Sequence, residues 1–168
     1  MAEKDKLVSN KIKYDGIFSF KDFYKFCYDW LSEETGLLLS EKKYKEKLSG
    51  DAKNIEIEWS GFKEVSDYFK FEIEVKFNII GLSNIEATNL DGKKIKTNKG
   101  SVEVSIKGNL IKDPKGKFEK NGFLKFLRGF YEKMIISSRV EQMEGKLIED
   151  CDEFLAQGKA YLDLEGKR

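Results

Sequence analysis

Along residues 69–79 the apolar side chains Phe69, Phe71, Ile73, Val75, Phe77 and Ile79 alternate with Lys70, Glu72, Glu74, Lys76 and Asn78. That period of two predicts a strand with one buried and one wetted face. The same alternation sets Ile55, Ile57 and Trp59 against Glu56 and Glu58, and places Val102, Val104 and Ile106 on one side of a later segment. Parallel strands covered on both faces would read as unbroken apolar runs, so the alternation predicts an antiparallel sheet. Asp91-Gly92 is a hairpin signal between two of these strands, and Pro114 with Gly116 closes the last.

Helical spacing takes over on either side. Phe20, Phe23, Tyr24, Cys27 and Leu31 form one stripe, opened by Ser19 and Asp22 at capping-box spacing and stopped at Gly36. This predicts a helix over 19–35. Steps of three and four resume near Asn121 with Phe123, Leu127, Phe130 and Met134, then Val140, Met143, Leu147, Cys151 and Phe154. One long helix over 121–157 is expected, with a bend near Ser137-Ser138 or Gly145. A short strand is expected around Lys11 to Ile17, and residues 1–10 are expected to be flexible. The predicted fold is a single α+β domain over 1–168. In it a curved antiparallel sheet of about six or seven strands, within 53–112, packs against the long C-terminal helix, with the amphipathic helix at the N-terminal side.

That order of elements resembles the helix-grip fold of the START and Bet v 1-like superfamily, in which a curved antiparallel sheet wraps a long C-terminal helix. The resemblance is one of topology and spans nearly the whole chain. The second short helix usual in that fold is missing or replaced here by residues 37–48. The Lys- and Glu-rich composition is also similar to that of small archaeal proteins.

Composition narrows the chemistry. The chain has 168 residues, enough for one domain to bury a core without metal or disulfide. It contains no His, which removes Ser-His-Asp and Cys-His nucleophile pairs, histidine metal ligands and a base titrating near neutrality. Two distant cysteines, Cys27 and Cys151, read as buried thiols and cannot build a four-thiolate zinc site. The glycines follow neither a dinucleotide fingerprint nor a phosphate-binding loop. Glu149, Asp150, Asp152 and Glu153 read as a solvated helix face. A non-enzymatic protein with no catalytic residues, no metal and no cofactor is therefore expected. The N-terminal residues have no apolar core of a leader, and no stretch approaches the roughly 20 apolar residues of a membrane span, so no transmembrane segment and a cytoplasmic location are expected.

A net charge of +1 conceals a pattern: residues 91–133 hold 12 Lys or Arg against 5 acids, between acidic neighbours. Neighbouring strands of opposite charge facing each other across a sheet are the expected explanation. Three functional expectations follow. The first is an apolar or amphipathic small molecule held between sheet and long helix by Phe71, Phe77, Phe123, Phe130 and Met134. The second is a structural or adaptor role through protein contacts or homo-oligomerisation, using Leu124, Tyr131 and Ile135. The third, weaker, is nucleic acid held through Lys93, Lys94, Lys96, Lys115 and Lys117.

Overall fold

Alternation does build strands, and they are longer and fewer than expected. In the computed structural model, which describes residues 3–66, 68–112, 122–130 and 137–166, five strands form one antiparallel sheet. They are β1 (Glu3–Phe18), β2 (Leu38–Ser49), β3 (Ala52–Glu64), β4 (Phe69–Thr88) and β5 (Lys94–Lys112). Their order is β1-β5-β4-β3-β2, so the first strand pairs with the last and β1 and β2 are the two edges. Five strands replace the six or seven expected, and a long strand can bend without ending, as β4 does where residues 69–80 meet residues 83–88. A bulge between Ile80 and Ser83 joins the two stretches, with Gly81 at φ 66° supplying the bend and its N–H donating to Asn54 Oδ1 at 2.9 Å.

Two further corrections concern the edges. The stretch expected to be flexible is strand from Glu3 onward, paired with β5 from Glu3↔Lys112 to Phe18↔Asn98. Residues 38–49, where the sequence predicted no strand, form β2. Each edge strand carries a bulge, between Lys6 and Val8 in β1 and between Glu41 and Lys43 in β2.

Helix α1 (Phe20–Asp29) crosses from one edge to the other and ends in a π-helical turn, Trp30–Glu34. Ser19 caps it, accepting from Asp22 N–H at 3.4 Å, and Asn98 Oδ1 of β5 accepts the Phe20 N–H at 3.0 Å. The C-terminal helix is α3 (Ser137–Gly166) and Gly122–Phe130 forms helix α2, so helix runs further toward the C-terminus than its periodicity indicated.

Both α1 and α3 lie on one face of the sheet. Helix α3 packs on β1 and β5 through Leu147, Cys151, Phe154, Leu155 and Leu162, all buried. Its approach is close: a methyl at Gly108 of β5 would lie 3.0 Å from Cys151 Sγ and 3.3 Å from Leu147 Cγ. Helix α1 covers β3 and β4, with Phe23 edge-on to Phe77 at 6.2 Å and Tyr24 edge-on to Trp59 at 5.2 Å. The two helices meet where Phe26 stacks on Tyr161 at 4.6 Å and Trp30 leans on Phe154 at 5.8 Å.

The opposite face of the sheet is polar and its charges are paired between strands. Lys4 meets Glu72 at 2.5 Å, Lys11 and Lys13 both reach Glu103 at 3.6 Å, Lys43 meets Glu56 at 2.8 Å and Lys76 meets Glu58 at 3.8 Å. Each of these pairs joins a lysine on one strand to a glutamate on another.

Candidate functional site

Helix α1 presents three sides. Phe23, Cys27 and Leu31 meet the sheet, Phe26 and Trp30 meet α3, and Phe20, Tyr24 and Tyr28 turn toward the β2 edge. On β2 the residues in register with the buried row of β3 are Glu41 opposite Trp59, Tyr44 opposite Ile57 and Glu46 opposite Ile55. Among the described residues no helix closes over them: Tyr44 is 45% exposed and Leu48, further along, 79% exposed. Between α1 and this strip lies an open groove of about 430 Å³ lined by Phe20, Lys21, Tyr24, Glu41 and Tyr44.

Glu41 organises its floor. Its Oε1 accepts the Tyr24 hydroxyl at 2.7 Å and the Trp59 indole N–H at 3.3 Å. These bonds tie edge strand, core and helix together at one carboxylate oxygen, while no donor among the described residues reaches Oε2. The Tyr44 hydroxyl donates to Glu46 Oε1 at 2.8 Å, and its ring stands edge-on to Tyr24 at 6.5 Å. Burial, reinforced by the hydrogen bond to Glu41, pushes the Tyr24 phenol up to about 12. Burial and then Glu46 raise Tyr44 as well. Both phenols are therefore neutral donors at ordinary pH, and the groove combines aromatic walls with one cation, Lys21, and one carboxylate, Glu41.

A second hollow, about 360 Å³, lies on the polar face around Lys42, Glu58, Ser60, Glu74 and Lys76. It is the weaker candidate because Lys76 is already paired with Glu58, and the apolar side chains of those strands, Trp59 and Val75, are buried on the other side.

The residues singled out from the sequence are dispersed. Phe71 and Phe77 are core residues, 4% and 2% exposed. Phe123 and Phe130, expected to face the sheet beneath the long helix, are instead 67% and 50% exposed. The reason is that α3 supplies its own apolar row to the sheet, and on α2 the half-buried positions are Leu124 and Leu127. Met134, Tyr131, Ile135, Lys115 and Lys117 lie outside the described residues. Lys93, Lys94 and Lys96 do come together, at the tip and flank of a two-stranded ribbon that β4 and β5 form beyond their pairing with β1 and β3. Of the acidic cluster, Asp150 pairs with Lys146 at 3.0 Å, Asp152 accepts from Asn10 at 3.1 Å and Glu153 from Gln157 at 2.7 Å. Among the described residues no group of acids, cysteines or histidines is arranged to hold a metal, and no helix is long and apolar enough to cross a membrane.

Neither a known family profile nor a curated protein matches this chain. The groove residues Tyr44 and Glu41 escaped the sequence reading because the bulge at Lys42 breaks the alternation of β2. Continuing the count backward from Tyr44, Glu46 and Leu48, with one residue inserted, recovers Leu39 and Glu41 on the same face.

Proposed function

We propose that this chain is a non-enzymatic binding domain that takes an amphipathic small molecule in the groove between α1 and β2. The carrying observation is the convergence of Phe20, Tyr24 and Tyr44 with the charges of Lys21 and Glu41 around one opening of about 430 Å³. Ligand clefts commonly span about 300–1,000 Å³ and combine apolar walls with a few placed polar groups. The site expected from the helix-grip resemblance, beneath the C-terminal helix, is disfavoured by the close seating of α3 at Gly108. The resemblance itself draws support from the pairing of first strand with last and from the helix that links the two edges. A planar apolar body fits between the rings, with a polar head at the rim.

Tryptamine and indole-3-acetate test this, since they share one planar body and carry opposite head charges. Nuclear magnetic resonance titration of the full chain should place the largest shifts at Phe20, Tyr24 and Tyr44, with the preferred head charge reporting whether Glu41 or Lys21 leads. Tyr44→Ala, at a half-exposed position, should weaken binding about tenfold, equivalent to roughly 1.4 kcal/mol. Shifts centred elsewhere, or affinity indifferent to Tyr44→Ala, would remove the groove as the site.

A further inference from the structure

Helix α2 carries the largest concentration of exposed aromatic surface among the described residues. Phe123, Phe126 and Phe130 recur at steps of three and four, so they share one side of the helix, and they are 67%, 67% and 50% exposed. Leu124 and Leu127, one step round the helix, are half-buried. The buried face of the sheet is already occupied by α1 and α3, so the phenylalanine row is not needed to complete it. Three phenylalanines held in water on one helix face call for an occupant.

The charge of the sequence in and beside the helix selects its chemistry. Helix α2 contains no acid, Lys125 on it is exposed, and residues 112–133 hold seven Lys or Arg against three acids. With the whole chain at +1, this stretch carries a net charge of +4 and the remainder −3. A second copy docking α2 on α2 would bring like charges together with no acid on either helix to answer them. An anionic lipid surface meets both requirements, since it takes aromatic side chains at the headgroup boundary and attracts the basic flank. We infer that α2 is a membrane-surface docking element, seating Phe123, Phe126 and Phe130 in the interface of an anionic bilayer. The helix is only about 13 Å long, so the contact is reversible and depends on charge as well as on burial. This inference does not rest on the groove between α1 and β2.

Vesicle co-sedimentation of the full chain tests it. Vesicles of phosphatidylcholine with about 30% phosphatidylserine should bind the protein, pure phosphatidylcholine should not, and raising salt from about 0.1 to about 0.5 M should release it. The double variant Phe123→Ser/Phe126→Ser should lose binding at least about tenfold while its thermal melting by circular dichroism stays at the parent's value, because both positions are exposed. Lys125→Glu should weaken binding to the anionic vesicles. Failure of the parent to bind anionic vesicles, or undiminished binding by the double variant, would overturn the inference. So would sedimentation equilibrium showing a dimer that the same double variant dissolves, since a second copy would then be the occupant.

Discussion

Replacing Gly108 by Ala tests how closely α3 is seated. The added methyl would lie 2.9 Å from Val8 Cγ1, 3.0 Å from Cys151 Sγ and 3.3 Å from Leu147 Cγ. Ordinary carbon contacts are about 3.5–4.0 Å, so all three neighbours must move. Val8, Cys151 and Leu147 are at most 8% exposed and have no solvent to retreat into. Overpacking of this kind costs about 1–3 kcal/mol. Loss of the glycine's freedom in the unfolded chain returns about 0.4–1 kcal/mol. The net expectation is a destabilisation of about 1–2 kcal/mol, seen in urea unfolding as a lower midpoint at unchanged slope and in melting as about 2–4 °C per kcal/mol. Pairing the change with Cys151→Ala, which removes the sulfur, should restore at least about 0.5 kcal/mol more than additivity allows. A Gly108→Ala protein as stable as the parent would show that space exists beneath α3. That result would return the ligand site to the interface of sheet and long helix.

Two further outcomes follow from the buried titratable groups. Tyr24 is held protonated to about 12 by burial and by its bond to Glu41, whereas the phenol of an unfolded chain ionises near 10. The native state therefore holds this proton longer, and its contribution to stability is complete below about pH 10 and lost as pH rises toward 12; an absorbance titration should show a late phenol that Glu41→Gln moves downward. Burial raises Cys27 well above the ordinary thiol range and, with help from Asp150 and Asp152, raises Cys151 to about 12. Neither thiol should react with an aromatic disulfide reagent at pH 8 until denaturant is added, when both should react; fast labelling of either in the native protein would contradict the packing described here.

What the chain discloses in advance depends on how many neighbours each residue answers to. The alternation of 69–79 and the stripe of α1 each report a single buried face, so they are readable locally, as is the Asp91-Gly92 turn inside Asn89–Lys93. Strand β2 is an edge whose face toward the helices is only partly covered, so its residues alternate between charge and charge, and its bulge shifts the phase midway. Strand β1 likewise draws its identity from β5, on the far side of the meander in sequence, rather than from its own Lys-rich sequence. The phenylalanines of α2 mislead for a related reason. A row at helical spacing shows that a helix has an apolar side, but what that side meets is settled by competition with α3, whose Leu147, Cys151 and Phe154 occupy the sheet. The groove was illegible in the same way, because it is a property of two elements, one of which was not recognised as a strand.

The union of first strand with last also bears on how the molecule is made. Glu3 pairs with Lys112 and Phe18 with Asn98, so β1 has no partner until the ribosome has delivered the whole meander of β2 to β5. At ordinary rates of synthesis that interval is on the order of 5–20 s, during which a sixteen-residue segment waits unpaired. An apolar strand in that position would be a hazard to its neighbours on the same message. This one carries Lys4, Lys6, Lys11 and Lys13, and only after β5 emerges do three of them find Glu72 and Glu103. The lysines that pair across the finished sheet serve first as a solubilising leader for a strand that arrives early and docks late.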